Sequence, residues 1–137
     1  MESRNTCAEA AEKALHFVAD DLLGIDVATA STDGTVLVCP DGEIDCMTAP
    51  VLRRALMSAR RQPCTRIVVD LAAVTFLNSA GLTVLAEAHH LAQADGIRLT
   101  VRGAVGPVVR PLQIVGLWEL LAEPTDLPAS APRGAVV

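Results

Sequence analysis

The run Arg66-Ile67-Val68-Val69-Asp70-Leu71 restricts the fold more than any other stretch of the chain. Its almost unbroken apolar character is that of a strand buried on both faces, and helical patterns precede and follow it, so its neighbours are reached by crossover connections. Parallel pairing follows. Upstream, Thr48-Ala49-Pro50 places a threonine cap before a proline in the first turn, which announces a helix. Val51, Leu52, Ala55, Leu56 and Ala59 mark its inner face. Arg53, Arg54, Arg60 and Arg61 look outward as a solvated face, and the last two also suit a helix C-terminus.

Downstream, Val74-Thr75-Phe76-Leu77 leads into Asn78-Ser79-Ala80-Gly81, after which Leu82, Val84, Leu85, Ala88, Leu91 and Ala92 recur at helical spacing as far as about Asp95. Gly96 breaks that helix and residues 97–102 form another strand. Gly106-Pro107 opens a third helical segment, closed by Gly116 after Val115; Pro111 inside it predicts a kink or a later start. Residues 117–123 read as a short strand or turn.

On the N-terminal side, residues 25–30 and 35–40 favour strands, and Asp33-Gly34 between them predicts an antiparallel hairpin. Residues 7–23 carry Ala11, Leu15, Val18 and Leu22 at helical spacing, which predicts an amphipathic helix ended by Gly24. The fold class is therefore α/β: a small mixed β-sheet with α-helices packed on it. Its organisation is an N-terminal helical extension over residues 1–24, one domain over 25–123, and a flexible C-terminal tail over 124–137, where Pro, Ser, Ala and Gly dominate.

A chain of 137 residues, 51% hydrophobic and 20% charged, has the length and apolar content for one domain. Eleven basic against 16 acidic residues leave a formal charge of −5, which disfavours direct nucleic-acid contact and anionic membranes. Aromatics are only 2%, too few for base- or sugar-stacking platforms. No apolar run follows a basic N-terminal region, and the longest uncharged stretch, residues 71–86, is shorter than a membrane span and carries Thr75, Asn78, Ser79 and Gly81. A cytoplasmic protein is the expectation. Composition sets no oligomeric state.

Few residues offer chemistry. The cysteines at 7, 39, 46 and 64 form no C-x-x-C pair and have no histidine at metal-ligand spacing. Cys39 reads as a small core residue, Cys7 and Cys46 as exposed, and all four as structural or incidental. His89 and His90 are adjacent on a helix and point about 100° apart, a poor pair of ligands for one metal. No G-x-S-x-G elbow surrounds Ser79, and Gly34, Gly42 and Gly81 stand in separate turns rather than in a phosphate loop. Hence no catalytic residue, metal or cofactor is assigned, and a small enzyme is the least supported class.

One junction stands out. Phe76-Leu77-Asn78-Ser79-Ala80-Gly81-Leu82 sets small and short polar residues where a strand gives way to a helix. Asn78 or Ser79 can cap the helix, and the small side chains leave its positive end open to an oxyanion, although an ordinary cap would look the same.

Gly42-Glu43-Ile44-Asp45 with Thr48-Ala49-Pro50, then Ile67-Val68-Val69-Asp70-Leu71, then Val74 through Leu82 in order, resemble a STAS domain. More narrowly, the chain is similar to the bacterial anti-sigma factor antagonists, and the match continues through Gly96-Ile97-Arg98-Leu99 and Val115-Gly116-Leu117. It covers about residues 25–123. The resemblance implies a mixed sheet with helices on one side and a partner that is an anti-sigma factor with serine kinase activity. It implies phosphorylation of Ser79, which releases the complex, and a partner-binding surface drawn from Asp45, Thr48, Asn78, Ser79, Ala80, Gly81 and Leu82. The usual Asp-Ser-Ser-Gly is here Asn78-Ser79-Ala80-Gly81, so the serine is retained while the aspartate's charge and the second hydroxyl are lost. For Asp45 two roles stand open, contact with a basic partner group or bracing of its own turn. The alternative function is a STAS interaction module that is never phosphorylated and serves as an accessory subunit of a transport or signalling assembly.

Overall fold

A computed structural model describes residues 13–28 and 30–123. The apolar run that dominates the sequence becomes β4 (Arg66–Asp70), an interior strand of a six-stranded sheet. Its neighbour β3 (Thr35–Ile44) is long enough to serve two strands on one side. The first half pairs in parallel with β4, from Thr35↔Arg66 to Val38↔Val69, and the second half pairs in parallel with β5 (Ala73–Leu77), from Asp41↔Ala73 to Ile44↔Leu77. On its other side β3 pairs antiparallel with β2 (Leu23–Ala28), and Asp33-Gly34 lies in the turn between them. β6 (Arg98–Arg102) closes the far edge in parallel with β4.

Strand β1 (Lys13–Ala19) replaces the second half of the helix expected over residues 7–23; residues 7–12 lie outside the described part of the chain. β1 pairs antiparallel with β2, Phe17 opposite Ile25 and Ala19 opposite Leu23. Leu15, Val18 and Leu22, the stripe that suggested an inward helical face, are all exposed, whereas Phe17 and Ala19 pack against the core. Pairing with β2 outcompetes a weak helical periodicity, and Gly24 sits within a strand instead of ending a helix.

The helices follow the sequence more closely. α1 (Ala49–Arg60) buries Val51, Leu52, Ala55, Leu56 and Ala59, and α2 (Ser79–Ala94) buries Leu82, Val84, Leu85, Ala88 and Ala92. They share a core with Ile25, Val27, Val36, Val38, Ile67, Val69, Leu99 and Val101 from the sheet. Each fully buried aliphatic side chain contributes about 1.5–3 kcal/mol relative to exposure. Two arginines of the solvated face of α1 bridge to α2: Arg53 to Glu87 at 2.6 Å and Arg60 to Asp95 at 2.7 Å. Leu91 is half out of the core, in the groove between these ion pairs.

α3 (Gly106–Ile114) starts where Gly106-Pro107 predicts and runs on through Pro111, so the later start is not observed. Residues 117–121 are helical, α4 (Leu117–Leu121), and extended structure at this end is confined to an isolated bridge between Ala122 and Val101. Trp118 and Leu121 explain the difference, because one helical turn brings both into the core. Cys39 is half-buried and disulfide-bonded rather than a free core residue, while Cys46 is exposed and Cys64 half-buried, both free. Among the described residues no helix is long and apolar enough to cross a membrane. The tail over 124–137 lies outside the described residues.

Candidate functional site

Strands β3 and β5 finish side by side at Ile44↔Leu77, and from each the chain turns directly into a helix. The two exits are stitched together by the Asn78 N–H, which donates to the Ile44 carbonyl at 3.2 Å. Segments 34 positions apart in the sequence are thereby brought side by side.

At the second exit Asn78 is extended (φ −112°, ψ −169°) and caps α2. Its Oδ1 accepts from the Ala80 N–H at 3.0 Å, and its carbonyl accepts from the Leu82 N–H at 3.1 Å. That leaves the N–H groups of Ser79 and Gly81 as first-turn donors with no partner among the described residues, at the positive end of a 16-residue helix. Ser79 is the first helical residue and is exposed, and its hydroxyl makes no hydrogen bond to a described residue. Its carbonyl accepts from the Thr83 hydroxyl at 2.9 Å.

Gly81 explains how the helix can begin so close to the sheet. A Cβ there would stand 2.5 Å from Leu77 Cδ1 and 2.6 Å from Ile44 Cγ2, both below any van der Waals separation. Only hydrogen fits between α2 and the two strand ends.

At the first exit the chemistry is different. Thr48 is 1% exposed and its hydroxyl is fully engaged, donating to the Glu43 carbonyl at 2.8 Å and accepting from the Asp45 N–H at 2.9 Å. It makes no side-chain cap to α1, contrary to the usual threonine pattern. Asp45 instead braces the approach to the helix, its Oδ1 accepting from the N–H groups of Met47 at 2.9 Å and Thr48 at 3.1 Å, both of which precede α1. Of its two open roles, bracing is the one visible in the geometry.

The seven residues expected at a partner surface thus come together but play unequal parts. Ser79 is exposed, and Asp45, Asn78 and Ala80 are half-buried. Thr48, Gly81 and Leu82 are turned inward and shape the surface without presenting side chains to it. Three residues outside those seven stand out around them: Met47 is 76% exposed, Phe76, the first residue of the junction read from the sequence, is 47% exposed, and Glu43 is exposed beside Phe76 as its register partner. Simple alternation would not have found Phe76, because β5 departs from it: Val74 and Leu77 are buried while Thr75 and Phe76 between them are exposed.

Elsewhere on α2, His89 is half-buried, and burial, with a further contribution from the charge of His90, holds its imidazole below the ordinary value of 6.5. Its buried Nδ1 has no hydrogen-bond partner among the described residues. Among the described residues no group of three or more His, Cys, Asp or Glu side chains is placed to hold a metal ion.

The family model described as the STAS domain matches residues 26–127. The anti-sigma-F factor antagonist RsfB of Mycobacterium tuberculosis is 35% identical over 94 residues, 68% of this chain and 75% of that protein. An anti-sigma F factor antagonist of Paenibacillus polymyxa is 30% identical over 89 residues, 64% of this chain and 76% of its own length. The crystal structure of an anti-sigma factor antagonist from Mycobacterium paratuberculosis superposes with a TM-score of 0.63 at 34% identity, covering 79% of this chain and 91% of that one. The unphosphorylated form of the antagonist SpoIIAA, at 18% identity, TM-score 0.63 and coverage of 74% and 89%, shares the fold. A mixed sheet whose β3 and β5 deliver two helix starts to one surface, and a sequence that aligns over most of its length with these proteins, place this chain in the STAS domain family.

Proposed function

We propose that this protein is an anti-sigma factor antagonist of the cytoplasm. It binds an anti-sigma factor that is also a serine kinase, and phosphorylation of Ser79 by that partner ends the complex. The protein acts by binding and catalyses no reaction of its own. One observation carries the reading: the Ser79 hydroxyl stands exposed and unbonded to any described residue at the start of α2, in reach of an incoming enzyme. The names of the relatives at 30% identity and above support the antagonist role.

The unmodified hydroxyl is small and neutral, so a partner can pack closely over the junction. A phosphate there adds about −1.5 to −2 charges and three acceptor oxygens. The N–H groups of Ser79 and Gly81 and the positive end of α2 can hold those oxygens within this protein. A partner surface pressed against the same place must desolvate them. Release by 10²-fold needs only about 2.7 kcal/mol of differential binding. Asn78 in place of an aspartate keeps the capping oxygen, and so the local geometry, without adding a carboxylate beside the phosphate.

The test is binding of the cognate anti-sigma factor to the wild type, S79A and S79D, with mass spectrometry after incubation with that factor and ATP. S79A should bind as the wild type does, S79D about 10²-fold more weakly, and Ser79 should gain the phosphate. Equal affinity for all three proteins, or a phosphate elsewhere, overturns the reading.

A further inference from the structure

We infer that the docking surface extends from Ser79 across the end of the sheet to Phe76, Met47 and Glu43, and that the anti-sigma factor meets it with an apolar side chain flanked by an arginine or lysine. This deepens the proposed function and rests on it.

Phe76 and Met47 are large apolar side chains left in water, and neither packs into the core cluster. They lie on the two segments that Asn78 joins: Phe76 two residues before it on β5, Met47 three residues after Ile44. Glu43 is opposite Phe76 in the parallel register, and its carboxylate makes no ion pair among the described residues. Its backbone, in contrast, is fixed on both sides, the N–H donating to the Leu22 carbonyl at 2.9 Å and the carbonyl accepting from Thr48. With the backbone already fixed, docking at Glu43 has only the side chain left to order.

Charge identifies the occupant. The β1–β2 turn, the end of β3 with its loop, and β5 with the start of α2 meet at this end of the molecule. Residues 20–24, 40–48 and 73–82 together hold five carboxylates, at Asp20, Asp21, Asp41, Glu43 and Asp45, and no Lys or Arg. An acidic end with an apolar centre favours a complementary cationic, apolar partner surface and repels an acidic one. A guanidinium could lie against the Phe76 ring while pairing with Glu43, a geometry that an ammonium reproduces less well. A phosphate on Ser79 enters beside this apolar patch, where its desolvation is most costly.

The experiment measures affinity of the full chain for its anti-sigma factor in five variants, with circular dichroism to confirm folding. F76S and M47S should each weaken binding about 10-fold or more, as truncated contacts at an interface centre do. E43K should do the same, and E43Q should flatten the salt dependence of binding. L91S is the control: it changes an exposed apolar residue twelve positions along α2, about 18 Å from Ser79, and should leave affinity unaltered. If F76S, M47S and E43K all bind within about twofold of the wild type while S79D is still released, the patch is wrong and the switch stands. If L91S falls as far as F76S, the patch has no specificity and the inference fails. If the wild type binds no anti-sigma factor, both the switch and the patch fall.

Discussion

The two helix starts at the ends of β3 and β5 sit side by side, each opens with a hydroxyl residue near a carboxylate or amide, and they treat that hydroxyl in opposite ways. Thr48 before α1 is sealed, with both of its hydrogen-bonding roles engaged by the backbone of Glu43 and Asp45. Ser79 at the start of α2 is exposed with its hydroxyl unbonded to any described residue. The cap also differs: α1 is braced by Asp45 from outside the helix, whereas α2 is capped by Asn78, the residue immediately before it. A hydroxyl residue at a helix start is therefore not by that alone structural or available. What decides is whether neighbouring backbone groups engage it first.

The contrast can be broken most directly by deleting each hydroxyl. T48V keeps the shape but leaves the Asp45 N–H and Glu43 carbonyl without their partner, and should lower unfolding stability by about 3 kcal/mol. S79A touches nothing internal and should stay within about 0.5 kcal/mol of the wild type. Urea unfolding of both proteins measures the difference. Similar losses in the two would mean that Ser79 is as structural as Thr48, and the division of roles would be lost.

How far the sequence revealed this arrangement differs by element. β4 was plain because a strand buried on both faces needs no pattern beyond an apolar run, and α1 and α2 were plain because their inner stripes persist for three turns or more. β1 was misread because Leu15, Val18 and Leu22 fall at helical spacing by accident of an exposed edge, where pairing and not periodicity sets structure. β5 was legible only as a strand ending at the junction, since its five residues find their partner only through pairing with the far end of β3. The same holds for the site. Asn78, Ser79 and Gly81 were legible as a junction that begins at Phe76, but Glu43 joins it only through a parallel register between segments more than thirty residues apart. The inward turn of Thr48 was hidden for the opposite reason, because a local cap rule gave a satisfactory answer that the Glu43 carbonyl overrides.

A second difference between the starts is closeness to the sheet. The third residue of α1 is Val51, whereas that of α2 is Gly81, set against Ile44 and Leu77. G81A should destabilise the fold by about 2 kcal/mol, since a β-branched neighbour has little freedom to move aside. It should also lift the first turn of α2, and with it Ser79. Hydrogen exchange at Ala80 and Leu82 checks the shift, and unchanged protection with unchanged stability would show that the strand ends have room to spare.

The caps themselves come next. N78A removes the one side-chain acceptor of the first turn of α2 and should cost about 1 kcal/mol. D45A removes the acceptor for two N–H groups that precede α1 and should cost as much or more. If N78A instead exceeds D45A, the more open of the two starts is the one more dependent on its cap, and the site around Ser79 is held less firmly than its neighbour.

The smallest effect concerns the bodies of the helices. α1 reaches α2 through ion pairs of arginines, but α2 carries the half-buried His89, whose Nδ1 has no partner among the described residues. Burial first, and the charge of His90 second, depress its protonation in the folded chain. The unfolded chain then binds the proton more readily, so stability is fully present above the ordinary value of 6.5 and declines as pH falls below it, levelling off once the folded form is protonated as well. The expected signature is an NMR titration of His89 with its midpoint below 6.5, together with an acid-side loss of stability that is shallower in H89Q than in the wild type. A midpoint at or above 6.5 would mean that α2 opens enough to hydrate this ring, and would make the helix that presents Ser79 looser along its whole length than α1.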